Sequence, residues 1–466
     1  MTIIASVSLS SPRARFIVLG VFLFAAFFLG GSARSDAQFL VGLRPLAAFA
    51  LAYAATLLTR EQWVQFKPLF LLLLCLAGLM AIQLVPLPFS IWSNLPQREP
   101  ILAISEALGA NDVWRPISLS PTRTWNSLFS LIVPAAALTL FAIQTDEHRK
   151  QAWLVVLAIV GLSAVFGVLQ NLGGDRSAFY LHSFTSRGFA TGFFSNRNHF
   201  GVLVALALLI AFWLIASLKS NDRNAIKMLV AAIGAIIVFV PMVFLSGSRA
   251  GLVCLVLALL IGAYMLARAP IVPEKLRVNR KISLTRKQLL MIAAGLFAGL
   301  CLIVVVSSRA LALDRLLGED DLVSLRWNLI PTLQQMMSDF ALSGSGFGSF
   351  EFVYRVYEED AMVSPKYLNN AHNDWAQFVI EGGIAAVVIA LAFAALLITW
   401  VKSALNGPNS ELARRKIMAI GCILLLAVAS LVDYPVRTPA IMALFALCCA
   451  TAALPQLVWQ GRGKKD

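Results

Sequence analysis

Charge is what this sequence has least of: 13% of its 466 residues are Asp, Glu, Lys or Arg, against 59% hydrophobic, whereas a soluble domain carries about 25% charged residues. With a mean hydropathy of +0.79, that scarcity excludes a water-soluble enzyme. Cysteine is equally uninformative as chemistry. Cys75, Cys254, Cys301, Cys422, Cys448 and Cys449 all lie inside apolar runs, where they act as small hydrophobes, so neither a disulfide framework nor a zinc site is indicated. Paired acids at metal-site spacing are missing from the polar loops. Glu319-Asp320-Asp321 and Glu358-Glu359-Asp360 read as solvated surface, so no metal and no cofactor is expected. The alternating glycines of Ser343-Gly344-Ser345-Gly346-Phe347-Gly348-Ser349-Phe350 follow no strand, which excludes a nucleotide loop and leaves a flexible or sugar-facing turn. No two-half internal repeat of the transporter kind is visible.

What is abundant is apolar sequence in lengths that cross a hydrocarbon core of about 30 Å. Twelve such runs lie near 16–31, 39–59, 66–87, 126–145, 151–173, 200–218, 227–246, 250–267, 288–308, 375–401, 417–435 and 439–459. The expected fold is an all-α integral membrane protein of about 12 transmembrane helices. It forms a single polytopic domain with one long loop at 309–371 between the ninth and tenth spans. The first run is read as an uncleaved span rather than a signal peptide. The net charge of +14 sorts by loop. Segments 1–15, 60–67, 145–151, 219–227, 268–287, 402–416 and 461–466 hold 23 of the 38 Lys and Arg but 7 of the 24 acids. The positive-inside rule then places both termini in the cytoplasm and the long loop outside. Anionic membrane lipids account for the basic loop 268–287, and no nucleic-acid partner is needed.

Basic residues on the outer side are arginines except for Lys366, and arginine holds phosphate bidentately. Four outer elements carry the chemistry. The first is Ser186-Arg187-Gly188 through Asn196-Arg197-Asn198-His199, where guanidiniums and amides precede a helix start that favours an anion. The second is the short turn Leu245-Ser246-Gly247-Ser248-Arg249. It holds Arg249 at a membrane edge, where its partner is either an internal acid such as Asp433 or a pyrophosphate. The third is the long loop, in which Leu325, Leu329, Leu333, Met336 and Phe340 recur at helical spacing and imply an amphipathic helix on the bilayer surface. The fourth is Asn369-Asn370-Ala371-His372-Asn373-Asp374, where one of only four histidines sits at the start of an apolar run. His372 is either an interfacial cap or a proton-transfer group. Arg44 falls within the second run and reads as snorkelling, and Asp433 and Arg437 are close enough in sequence to pair.

The arginine and Asn-x-Asn stretch at 187–198 and the Ser-Arg-Ala-Gly turn at 248–251 are joined by Arg326-Trp327 ahead of Gly344, Gly346 and Gly348. With His372-Asn373 leading to Glu381-Gly382, they resemble the O-antigen ligase and polymerase superfamily over roughly 115–440. That resemblance implies a multi-spanning, metal-independent glycosyltransferase of the bacterial inner membrane, working on the periplasmic face. Its donor would be an undecaprenyl-pyrophosphate-linked glycan and its acceptor the lipid A core or a growing glycan. It implies that Arg187 and Arg249 hold the pyrophosphate as catalytic residues with His372 at the acceptor hydroxyl. Arg197, Asn196, Asn198, Arg326 and Asn373 become substrate-binding residues, and Glu381 a supporting one. A lipid-linked sugar flippase is the alternative from another class. It fits less well, because the intramembrane charges gather at one edge instead of lining a path across.

Overall fold

The structure, a computed structural model, describes residues 8–110, 112–218, 225–269, 275–279, 282–285, 321–360, 363 and 368–455. It is an all-α multi-span membrane fold. Among the described residues nine helices are long and apolar enough to cross a membrane: Pro12–Leu29, Leu40–Leu57, Arg60–Gln83, Pro121–Ala142, Asp146–Arg176, Arg197–Ala216, Met228–Leu245, Arg249–Ala267 and Asp374–Asn406. Two further predicted spans are also helices. Glu411–Ala429 opens with Glu411, Arg414, Arg415 and Lys416, which lower its hydropathy, and Pro439–Ala452 has only 14 residues. The run at 288–308 lies outside the described residues.

Arg197–Ala216 is the centre of the bundle. It is hydrophobic all round and nearly all of its residues are buried, as expected for a helix enclosed by other helices instead of lipid. Arg249–Ala267, Ala225–Leu245 and Glu411–Ala429 pack around it. Pro12–Leu29, Leu40–Leu57, Ile132–Ala142 and Pro439–Ala452 complete a second group of mutually packed helices, and one apolar core runs through both groups.

A smaller core cements the segment after residue 320 onto this bundle. The sequence's amphipathic helix exists, as Asp321–Asp339. Its apolar face is turned to protein, however: Leu329, Leu333, Met336 and Phe340 are buried with Phe350, Val353 and Ile380. The helical spacing was legible, but a stripe that meets lipid and one that meets a neighbouring helix have the same spacing.

The glycine stretch is also not a free loop. Ser345 and Ser349 are fully buried. The Ser345 and Gly346 amides donate to the Ile380 and Glu381 carbonyls at 2.9 and 3.0 Å, and the Leu119 amide donates to the Ser345 carbonyl at 2.9 Å. These bonds are possible because the Asp374–Asn406 helix breaks at Gly383, whose φ of +60° is left-handed. The break releases carbonyls that a continuous helix would use internally. Gln83 closes the joint, donating to the Glu381 carbonyl at 2.8 Å and accepting from the Phe347 amide at 3.1 Å. Gly344 has φ +68°, and a Cβ there would strike the Glu381 carbonyl. Gly344→Ala is therefore expected to destabilise the protein by more than the roughly 1–2 kcal/mol of a left-handed alanine. Thermal unfolding in detergent, compared with Gly109→Ala, where φ is also positive and a Cβ meets open space, checks this.

Candidate functional site

Helix ends assemble the site. Arg197–Ala216 starts where the Asn196 carboxamide accepts the Asn198 amide at 2.8 Å. Asp374–Asn406 starts where Asn373 accepts the Ala376 amide at 3.0 Å, and Arg249–Ala267 starts at Ser248, which accepts from Gly251 at 2.9 Å. All three are ordinary N-caps. Asn196 and Asn373, expected among the substrate-binding residues, thus hold the helix ends.

Asp433 joins these starts. It follows Glu411–Ala429 and is 1% exposed. One carboxylate oxygen accepts the Asn198 amide group at 2.6 Å; the other accepts the Tyr434 amide at 2.9 Å. That second oxygen also lies 3.4 Å from His372 Nδ1 and 3.7 Å from His199 Nε2. His199, itself 1% exposed, shares a 2.9 Å hydrogen bond between Nδ1 and the Thr438 hydroxyl. The Tyr434 ring stands edge-on to both imidazoles, at 4.9 and 5.1 Å. Burial acts to raise the Asp433 carboxyl, but the His199 and His372 contacts outweigh it and hold the group well below the usual carboxylate range. The anion therefore persists at neutral pH. Its contribution to stability is present above the unfolded value of about 3.9 and fades only as pH falls further, through the depressed folded value.

His372 sits with φ +49°, in the left-handed region. A histidine held there is unusual and points to a side chain placed for use. Its backbone turns the imidazole onto Asp433, two helices away in sequence. The sequence suggested instead that Asp433 pairs with Arg437, and the structure corrects this. Arg437 donates through Nε to Asp374 at 2.8 Å and through Nη1 to Glu381 at 3.0 Å, and Glu381 is fully buried. Both acids belong to the helix that His372 precedes, so the pairing could not be read from the sequence interval.

The arginine loops lie against one another. The Ala190 amide donates to the Leu245 carbonyl at 3.2 Å, and Arg197 stacks 4.1 Å over Phe189 with its guanidinium against Gly247. The stretch 187–199 and the turn 246–249 are thus one surface, tied through Asn198 and His199 to Asp433 and His372. Arg187 lies on its rim, exposed, donating to the Asp175 carbonyl at 3.0 Å beside Tyr180. Arg249 is the first residue of its helix. Arg326 falls on the Asp321–Asp339 helix, with its side chain outside the described residues. Sequence reasoning named Asp433 only as a partner for Arg249 or Arg437, and it missed the Asp433–His372 contact and Thr438. The signal available was an acid, a tyrosine and prolines bracketed by two apolar runs.

Arg115 and Arg123, in the segment before the Pro121–Ala142 span and at its start, are held locally. Arg115 packs over Trp92, and Arg123 pairs with Glu351 at 3.4 Å.

No curated protein matches the chain. Residues 234–391 match the family described as O-antigen ligase, a stretch that runs from the Ala225–Leu245 helix past the Arg249 turn and His372 into the broken helix. Residues 234–391 of this multi-pass membrane protein are thus similar to the O-antigen ligase family.

Proposed function

We propose that the protein is a metal-independent membrane glycosyltransferase that moves a glycan from a polyprenyl-pyrophosphate donor to an acceptor hydroxyl at the periplasmic face, as an O-antigen ligase does. The observation that carries this reading is the buried Asp433 carboxylate against His372 Nδ1. A carboxylate on one ring nitrogen leaves Nε2 to take a proton and stabilises the imidazolium that forms. The acceptor oxygen attacks the anomeric carbon and its proton passes to His372. The bond from that carbon to pyrophosphate breaks, and the electron pair leaves with the pyrophosphate. Arg187 and Arg249 stabilise the charge that builds there, doing the work a metal would otherwise do. Arg197, Asn196, Asn198, Arg326 and Asn373 are proposed to shape the donor side. The acceptor is the lipid A core in the ligase reading and a growing glycan in the polymerase reading.

The test is transfer in vitro from an undecaprenyl-pyrophosphate glycan by purified protein in detergent. Arg187→Ala and Arg249→Ala, at matched levels of folded protein, are each expected to lower the rate by about 10²–10³-fold, the size of losing one charge stabiliser. Wild-type turnover without a membrane to cross excludes a flippase. Undiminished transfer in both variants sinks the proposed roles of the arginines.

A further inference from the structure

Asp433 faces two imidazoles, and glycan transfer as proposed uses only that of His372. His199 sits in the first turn of the Arg197–Ala216 helix and is 1% exposed, so no substrate reaches it. Three polar groups surround it. Nδ1 lies 2.9 Å from the Thr438 hydroxyl. Nε2 lies 3.7 Å from the Asp433 oxygen that also faces His372, and 3.4 Å from the Asn196 carboxamide nitrogen. Thr438 is itself out of the ordinary. It is the N-cap of Pro439–Ala452, where a threonine hydroxyl would normally accept a backbone amide, but its side chain makes no capping bond. Among the described residues its hydroxyl has one partner, His199.

The neutral ring can satisfy these contacts in two ways. In one, Nδ1–H donates to Thr438 and Nε2 accepts from Asn196. In the other, the Thr438 hydroxyl donates to Nδ1, and Nε2–H faces Asp433. Two observations select the second. Thr438 is fully buried, so in the first arrangement its hydroxyl proton has no acceptor, which is costly inside a protein. Asp433 is a buried anion with no Lys or Arg within ion-pair distance among the described residues. It depends on the N–H groups aimed at it, and the first arrangement would turn a lone pair toward it. Asn196 does not decide the matter. Its oxygen is engaged by the Asn198 amide at 2.8 Å as an N-cap, which leaves its nitrogen near His199 at a distance too long for a strong bond.

We propose that His199 is a positioning residue for glycan transfer: fixed by Thr438, it aims Nε2–H at the Asp433 oxygen that orients His372. One carboxylate oxygen is then held between two imidazoles, with the Tyr434 amide as its third donor. Asn198 holds the other oxygen. The carboxylate cannot turn away from His372 without giving up His199. Resting on the proposed function for its role, this gives the second histidine and Thr438 a part that neither plays by touching substrate.

The experiment reads the ring nitrogens directly, by ¹⁵N NMR of the histidine-labelled full chain. Only four histidines are present, and the signals missing from His199→Gln and His372→Asn assign the two that matter. His199 is expected to carry a proton on Nε2, and Thr438→Val is expected to reduce that protonated share, with Thr438→Ser restoring it. His199→Phe, which keeps a planar ring without an N–H, is expected to lower the share of His372 protonated on Nδ1. His199→Gln, whose amide N–H reaches the place of Nε2, restores it. In steady-state transfer, His199→Phe is expected to lower kcat by about 10–100-fold, the size of losing a supporting hydrogen-bond partner, with little change in KM. Added to His372→Asn, it costs almost nothing more, because it acts through the imidazole. A wild type with no proton on His199 Nε2 overturns the proposal, as does a His372 signal that His199→Phe leaves unchanged. So do equal kcat losses in His199→Phe and His199→Gln, which would mark a packing role, or a rise in KM alone. Because the nitrogen signals are read without turnover, a wild type that shows them as expected yet transfers no glycan overturns the proposed function and leaves the arrangement standing.

Discussion

His372→Asn is expected to lower glycan transfer by about 10²–10⁴-fold, the span between losing a general base and losing a base with its oriented partner. Asparagine is the informative replacement because it tolerates the left-handed backbone that His372 occupies at φ +49°. Folding is therefore retained while the imidazole is removed. Asp433→Asn should cost a similar factor for a different reason. The amide can no longer draw the proton of His372 onto Nδ1, so Nε2 no longer faces the acceptor as a base. If the two residues act as one unit, the double variant is hardly slower than the worse single one. Steady-state rates of the three variants with a defined donor and acceptor decide the matter. Multiplicative losses would show that Asp433 does not work through His372, and a His372→Asn enzyme within a few-fold of wild type would remove the imidazole from the mechanism.

The two members of that unit were unequally legible in the sequence. His372 stood out as a rare histidine where a polar stretch becomes an apolar run. Asp433 lay at the end of the run 417–435, and sequence distance paired it with the nearest arginine. What decided otherwise was the approach of three helix starts from distant parts of the chain, a long-range fact with no local signature. The same contrast holds for the fold. Apolar runs located all the helices the structure describes among the predicted spans, because length and hydropathy are local quantities. The helical spacing at 325–340 likewise located a helix, yet could not say that its partner was protein. Gly344 and Gly346 announced unusual backbone, but the left-handed break at Gly383 that receives them is tertiary. Arg44 looked like a residue reaching for the membrane edge. Its hydrogen bonds to Asn126 required the neighbouring helix to be in place.

Arg437→Met is expected to destabilise the protein by about 3–5 kcal/mol, the cost of removing one partner from a buried ion pair. The guanidinium bridges Asp374, in the first turn of its helix, and Glu381, at the break. Asp374 retains the Ser430 hydroxyl at 3.2 Å, and Glu381 retains Gln377 at 2.9 Å. Neither contact neutralises a buried charge. Adding Glu381→Gln to Arg437→Met removes one stranded anion, so the double variant should be less destabilised than the sum of its parts by about 0.5–3 kcal/mol. Arg437→Lys should fall between, since a single ammonium cannot span both acids as a planar fork does. Unfolding of wild type, the two single variants and the double variant in detergent measures the cycle, and strict additivity would mean that Arg437 and Glu381 are not coupled. The consequence for function is indirect. Arg437 fastens the segment that carries Asp433 to the helix that His372 precedes, so its loss should also lower transfer while leaving the response to Asp433→Asn in the same direction.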